Sequence, residues 1–275
     1  MQTRTLGRTG WTVSEIGCGT YRSFDQPGVA GQRAVTALVQ ANLAQGANLF
    51  DTAPMYGRAE ETLGKAVTQL GLTQPGQPLV ATKVLQHDRA GALRQIENSF
   101  ALLGRIELLQ IHNIAGWRQV LPYLAELRAL GRIAAVGVTH YDPGAFGEIE
   151  VACKTGIPDV IQIPLNLIER EAEKRLLPLA RERNLGVLVM TPIEPIFQRG
   201  GLLAQLREFD LAPYAAHGVS DAGSLCLKWL LSRHADVVPI PATSKVSRVR
   251  SNLAVSGPPP LPPELMTRLE RYIAG

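Results

Sequence analysis

Eight short, nearly continuous apolar runs alternate with longer segments of helical period, and that alternation restricts the fold more than any other feature of the chain. The runs are 15–19, 47–52, 79–84, 106–112, 133–139, 160–165, 186–191 and 237–242. The helical patterns are 33–45, 60–70, 90–103, 120–130, 145–154, 171–184 and 220–232, with 246–254 after the last run. A strand buried on both faces reads as a continuous apolar run, whereas a half-exposed one alternates. Strict strand–helix alternation demands parallel pairing with right-handed crossovers. Eight such units in about 250 residues match a closed α/β barrel of the TIM type, (β/α)8. A doubly wound open sheet would show the same alternation. Its GxGxxG fingerprint should follow the first strand, where Gly17 and Gly19 lead instead into Thr20, Tyr21 and Arg22.

The punctuation agrees. Gly46, Gly71, Gly104 and Gly131 each stop a helical pattern, as a left-handed C-terminal residue does. Ahead of the first unit, residues 3–6 and 11–13 flank a Gly-containing turn and read as a small hairpin. Residues 193–206, containing Gly200 and Gly201, form a long connection expected to carry a short extra helix. The spacer GPPPLPP, 257–263, cannot be helical, and it leads to a last amphipathic helix over 264–273 outside the barrel. No shift of composition divides the chain, so 1–275 is expected to be one barrel domain.

The 28 Lys and Arg against 24 Asp and Glu leave a net charge of +4, with the basic residues scattered. No basic run of the kind that tracks nucleic acid is present, while small anionic ligands suit the balance. Cys18, Cys153 and Cys226 are far apart and form no CxxC pair, which disfavours a disulfide scaffold or zinc site and favours a reducing compartment. The amino terminus lacks the apolar core of a signal peptide, and no apolar stretch approaches the roughly 20 residues of a membrane helix. The expectation is a cytoplasmic protein, a monomer or weak oligomer, with no metal, membrane or nucleic-acid partner.

In a barrel of this kind chemistry belongs to the carboxyl ends of the strands. Those ends carry Gly19, Thr20 and Tyr21; Asp51, with Tyr56 just beyond; Lys83; His112 and Asn113; Thr139 and His140; Gln162 with Asn166; Thr191; and Thr243 with Ser244. A lysine in an apolar run needs a carboxylate, because an unpaired buried charge is costly. Asp51 on the neighbouring strand end is the obvious partner. A tyrosine with a pKa near 10 is a poor acid–base catalyst at neutral pH, and an adjacent ammonium is expected to lower that value. Tyr56 could then give a proton to a carbonyl oxygen while hydride reaches the carbon, with His112 orienting the same oxygen. Each group alone is more often structural; four on three successive strand ends are harder to dismiss.

With those residues assembled, the chain resembles the aldo-keto reductases, with motifs in order from Arg4 to about Asn252. RTLGRTG at 4–10 and VSEIGCGT at 13–20 resemble the family's hairpin and first strand. NLFDTAPMYG at 48–57 resembles its main signature; ATK at 81–83 and LLQIH at 108–112 resemble the segments bearing the other tetrad members. The resemblance implies Tyr56 as proton donor, Lys83 and Asp51 tuning it, and His112 positioning the carbonyl. It further implies NADPH, with NADH possible, lying extended across the barrel mouth. Gln162, helped by Thr139 and His140, would take the nicotinamide carboxamide, with Met190 against the ring. Thr191, Pro192, Ile193 and Leu202 would pass under the pyrophosphate. Ile240, Pro241, Ala242, Thr243, Ser244, Arg248 and Asn252 would take the adenosine end, Arg248 suiting a 2′-phosphate. The mouth residues Gly19, Thr20, Tyr21 and Asp51 complete the cofactor surface.

Departures from the family pattern cluster at the cofactor. His140 replaces an Asn, Met190 a frequent Tyr, Ala242 a Lys or Gly, and Ser251 a Glu. A short loop after the fourth barrel strand and an early chain end imply an open pocket for a small carbonyl substrate, walled by Phe24, Trp117 and Phe197. Two other functions compete: a Schiff-base lyase using Lys83, disfavoured because a paired ammonium is a poor nucleophile, and a cofactor-binding sensor or regulatory protein with little catalysis.

Overall fold

The computed structural model describes residues 1–72, 74, 78–196 and 201–275. An antiparallel hairpin of β1 (Thr3–Thr5) and β2 (Thr12–Ser14) opens the chain. Eight parallel strands follow: β3 (Cys18–Gly19), β4 (Leu49–Asp51), β5 (Leu79–Val84), β6 (Leu108–Ile111), β7 (Ala135–Thr139), β8 (Val160–Pro164), β9 (Gly186–Met190) and β10 (Val237–Pro239). They neighbour one another in chain order. The two edges then meet. Gly17 N donates to Pro239 O at 2.9 Å, Gly19 N donates to Pro241 O at 3.1 Å, and Gly19 bridges Ala242 in parallel. Proline has no N–H and can join a ladder only through its carbonyl, which is how Pro239 and Pro241 are used. A Cβ on Gly19 would lie 2.5 Å from Ile240 O, so the seam closes only around a residue without a side chain.

The outer layer is α1 (Gly28–Ala44), α2 (Ala59–Gln69), α3 (Arg89–Leu103), α4 (Trp117–Ala129), α5 (Phe146–Lys154), α6 (Leu176–Glu182), α7 (Gly201–Gln205), α8 (Ala222–Arg233), α9 (Val246–Ala254) and α10 (Pro263–Ala274). The expected single helix over 171–184 is divided into a 3-10 turn, Glu171–Glu173, and α6. Pro178 explains the division: within a continuous helix it would remove the bond to residue 174, whereas a restart at Leu176 leaves it in the first turn. The short helix expected within 193–206 is α7. Pro263, assigned by sequence to the spacer, is instead the first residue of α10, where its fixed φ suits a helix start.

Two apolar layers hold the molecule. Inside the barrel Leu49, Leu79, Ala81, Leu108, Ala135, Val160, Leu188, Val238 and Ile240 pack together with Leu6 and Val13 of the hairpin. The hairpin therefore plugs the amino-terminal end. The larger layer lies between strands and helices, with Trp229, Tyr214, Phe24, Phe50 and Phe146 among its largest buried side chains. No helix among the described residues is long and apolar enough to cross a membrane.

Candidate active site

Opposite the plug, successive strand ends point polar side chains into the barrel mouth. Lys83 on β5 is 1% exposed and Asp51 on β4 is 2% exposed. The Lys83 ammonium donates to both Asp51 oxygens, at 2.8 and 2.7 Å, and to Thr52 O at 2.8 Å. Gln110 and Gln162 add amide N–H bonds to the same carboxylate at 3.2 and 3.3 Å. Burial pushes the Asp51 carboxyl up, against the pull of Lys83 and the two amides. Burial would depress Lys83, but Asp51 and Tyr56 outweigh it and hold the ammonium above its ordinary value. Four N–H contacts on one carboxylate describe an ion pair.

Tyr56 is carried by the turn after β4. Its N–H donates to Ala53 O at 3.0 Å, and its carbonyl accepts from Ala59 N at 3.2 Å as α2 begins. Gly57 follows with φ +64°, and a Cβ there would meet the Asp25 carboxylate at 2.4 Å. That carboxylate also accepts from Arg58 N at 3.0 Å, so the turn is pinned from outside. The Tyr56 ring centroid is 5.0 Å from the Lys83 ammonium, 5.0 Å from the Tyr21 ring and 6.0 Å, edge-on, from His112. Burial raises the phenol above its ordinary value, and the Lys83 charge offsets only part of this. The sign thus differs from the expectation of a lowered pKa. Depth of burial decides it.

His112 follows β6 directly. Burial first, then the Lys83 and His140 charges, press its pKa down to about 3, so the imidazole is neutral across the physiological range. Its Nδ1 is buried without a partner among the described residues. The next residues hold unusual backbone: Asn113 and Ile114 have φ of 53° and 55°. A β-branched residue there is strained, and such strain gathers at functional sites.

A cavity of about 740 Å³ opens over these groups. Its lining includes Asp51, Lys83, Tyr56 and His112, and among the expected cofactor residues Gly19, Thr20, Tyr21, Thr139, Gln162, Met190, Thr191, Pro192, Ile193, Ile240, Pro241, Ala242, Thr243, Ser244 and Arg248. Thr191 has φ 49° and its carbonyl accepts from Asn166 Nδ2 at 3.1 Å; Asn166 Oδ1 meanwhile accepts from Ile168 and Glu169 N. A larger depression of about 890 Å³, between Glu208–Asp210 and α10, includes no strand-end residue.

Other expected site residues lie elsewhere. His140 turns away, its Nδ1 accepting from Asp142 N at 2.9 Å, and the next residue, Tyr141, lines the cavity in its place. Leu202, 1% exposed, belongs to the apolar layer; Asn252 is buried on α9 and does not line the cavity. Phe24 is fully buried, and Trp117 is 7% exposed with Nε1 donating to Glu148 at 2.8 Å and Arg118 over its ring. Both are packing residues, not pocket walls. Phe197 lies outside the described residues. Asn113, one of the strand-end groups, joins the lining, whereas sequence reasoning had passed over Arg22, Ser23, Met55, Tyr141, Glu194, Pro195, Ile196 and Leu203. It also passed over Gln110, whose signal was a lone amide inside the apolar run LLQI.

Comparison with known proteins bears on the whole barrel. The aldo-keto reductase YhdN of Bacillus subtilis (strain 168) is 30% identical over an alignment that covers 69% of this chain and 61% of that protein. The NADH-specific methylglyoxal reductase of Escherichia coli (strain K12) is 25% identical over 90% of this chain and 91% of its own. A crystal structure of an aldo-keto reductase from Klebsiella pneumoniae in complex with NADPH superposes with a TM-score of 0.82, at 24% identity over 98% of this chain and 95% of that one, and shares the fold. The pattern that defines the aldo/keto reductase family matches residues 15–274. The chain belongs to the aldo/keto reductase family of NAD(P)H-dependent oxidoreductases.

Proposed function

We propose that the protein reduces aldehydes or ketones to alcohols with NADPH, Tyr56 donating the proton. The observation that carries this reading is the meeting of a buried Lys83–Asp51 pair, Tyr56 and a neutral His112 on one cavity. The rest of the lining fits a dinucleotide. Among the described residues, Thr20, Thr139 and Thr191 each have a buried hydroxyl without a partner, and buried polar groups are otherwise almost always satisfied. Gln162 would hold the carboxamide, Thr191 to Ile193 the pyrophosphate, and Arg248, exposed and in no ion pair among the described residues, the 2′-phosphate. Bound NADPH would supply the hydride that adds to the carbonyl carbon.

The chain's own groups do the remainder. The raised phenol stays protonated at neutral pH, as a proton donor must. Lys83 steadies the phenolate left when that proton passes to the carbonyl oxygen, and Asp51 keeps Lys83 charged. The neutral imidazole of His112 donates one N–H to the same oxygen and fixes its direction. A lysine bonded to three oxygens has no lone pair to offer a carbonyl, which disfavours the Schiff-base alternative. Three buried free cysteines accord with a cytoplasmic setting.

Tyr56→Phe tests the assignment. Turnover of small aldehydes should fall by at least about a hundredfold, while a fluorescence titration gives an unchanged NADPH affinity. Undiminished turnover refutes the mechanism; wild-type binding without turnover on any carbonyl would make the protein a nucleotide sensor.

A further inference from the structure

Gln110 is fully buried and absent from the cavity lining, yet it touches two groups that are present there. Its Nε2 donates to Gln162 Oε1 at 2.7 Å and to Asp51 Oδ1 at 3.2 Å. Gln162 Nε2 in turn donates to Asp51 Oδ2 at 3.3 Å. The three side chains close a ring from β4, β6 and β8. Strand β7 lies between Gln110 and Gln162, and there Gly137 stands opposite Gln110. A Cβ on Gly137 would be 2.7 Å from Gln110 Cγ. The missing side chain is the passage through which Gln110 reaches across β7.

The orientation of both amides follows from charge. Turning the Gln110 amide over would set its oxygen against Asp51 Oδ1 and Gln162 Oε1, acceptor facing acceptor. The orientation present leaves Gln110 Oε1 buried without a partner among the described residues. A buried acceptor left unpaired calls for a reason, and the two N–H contacts supply it. Turning Gln162 over would likewise set its oxygen against Asp51 Oδ2 in place of an N–H.

We propose that Gln110 is a positioning residue that locks the Gln162 amide in one orientation and so ties the nicotinamide end of the cofactor site to the Asp51–Lys83 pair. The proposal rests on the assignment of Gln162 to the carboxamide. With Gln110 in place, Gln162 presents a fixed N–H and a fixed lone pair to a ligand, and binding loses little side-chain freedom.

The test compares two ligands: NADPH, and adenosine 2′,5′-bisphosphate, which lacks nicotinamide. Gln110→Met should weaken NADPH about tenfold, the scale of one orienting hydrogen bond, with the bisphosphate unchanged. Gly137→Ala, which crowds Gln110 from the neighbouring strand, should reproduce the effect. In a Gln162→Met background, Gln110→Met should change NADPH affinity less than twofold, because the residue it acts through is gone. Equal weakening of both ligands would show general damage and overturn the proposal. So would an unchanged NADPH affinity in Gln110→Met while Gln162→Met weakens it. If Gln162→Met itself leaves NADPH affinity intact, the cofactor assignment fails first and takes this proposal with it.

Discussion

Replacing Lys83 with methionine would separate what the buried ion pair does for stability from what it does for chemistry. The ammonium supplies two of the four N–H contacts on Asp51, the short ones at 2.8 and 2.7 Å, and leaves only the amides at 3.2 and 3.3 Å. Removing one partner of a fully buried pair costs about 3–5 kcal/mol, most of it the unpaired charge left behind. The loss in Lys83→Met at pH 7 should fall in that range by urea unfolding. Removing both charges, in Asp51→Asn with Lys83→Met, leaves neither charge of the pair unpartnered and should recover more than half of it. The pH dependence has a definite sign. In Lys83→Met the folded carboxyl is raised above its unfolded value, so the penalty is full at neutral pH. It shrinks as the pH falls towards the unfolded carboxyl pKa, where both states bind the proton. Activity should not follow stability: the double variant regains folding but stays inactive, since nothing then steadies the Tyr56 phenolate. A double variant no more stable than Lys83→Met, or a deficit that ignores pH between 7 and 5, would refute the picture of a charged pair.

The neutral His112 and the raised Tyr56 make a further prediction: kcat for reduction should be level from about pH 6 to 9. It should show no histidine limb, because the His112 pKa is held down at about 3, and should fall only on the alkaline side as the half-buried phenol loses its proton; a limb near 6.5 that vanishes in His112→Gln would contradict this. Phe24→Leu should cost about 1–2 kcal/mol in urea unfolding with KM for a small aldehyde within twofold, since Phe24 packs in the layer between strands and helices and does not line the cavity. A large rise in KM without loss of stability would return it to the substrate wall.

Much of the barrel was legible because strands buried on both faces leave an unbroken apolar signature, and because a lysine in such a run demands a carboxylate nearby. Lys83 and Asp51 followed from that demand alone. Strand extents did not follow. Residues 15–17 and 240–242 were read as parts of their strands, yet β3 is only Cys18–Gly19 and β10 ends at Pro239. The seam between them runs through proline carbonyls and glycine amides, so its hydrogen bonds are sparser than its hydropathy suggests. The divided helix at 171–184 had a visible warning in Pro178; the reading by period alone overrode it.

Side-chain direction was the harder limit. Along a strand alternate residues share a face, and Lys83, Thr139 and Gln162, singled out only as strand-end residues, all line the cavity. One residue past a strand end that rule lapses: His140 folds back onto Asp142, and Tyr141 takes the cavity. The sign of the Tyr56 shift was hidden for a related reason. Sequence identifies the cation beside the phenol but says nothing of how much protein closes over it, and desolvation outweighs the charge. Gln110 combines both limits. Its alternation, in step with Lys83 across the register of β5 and β6, aims it into the barrel. Its reach to Gln162 depends on an absent side chain one strand away, at Gly137. A residue's function can thus be encoded in its neighbour's lack of bulk, which is where a sequence read one strand at a time has no purchase.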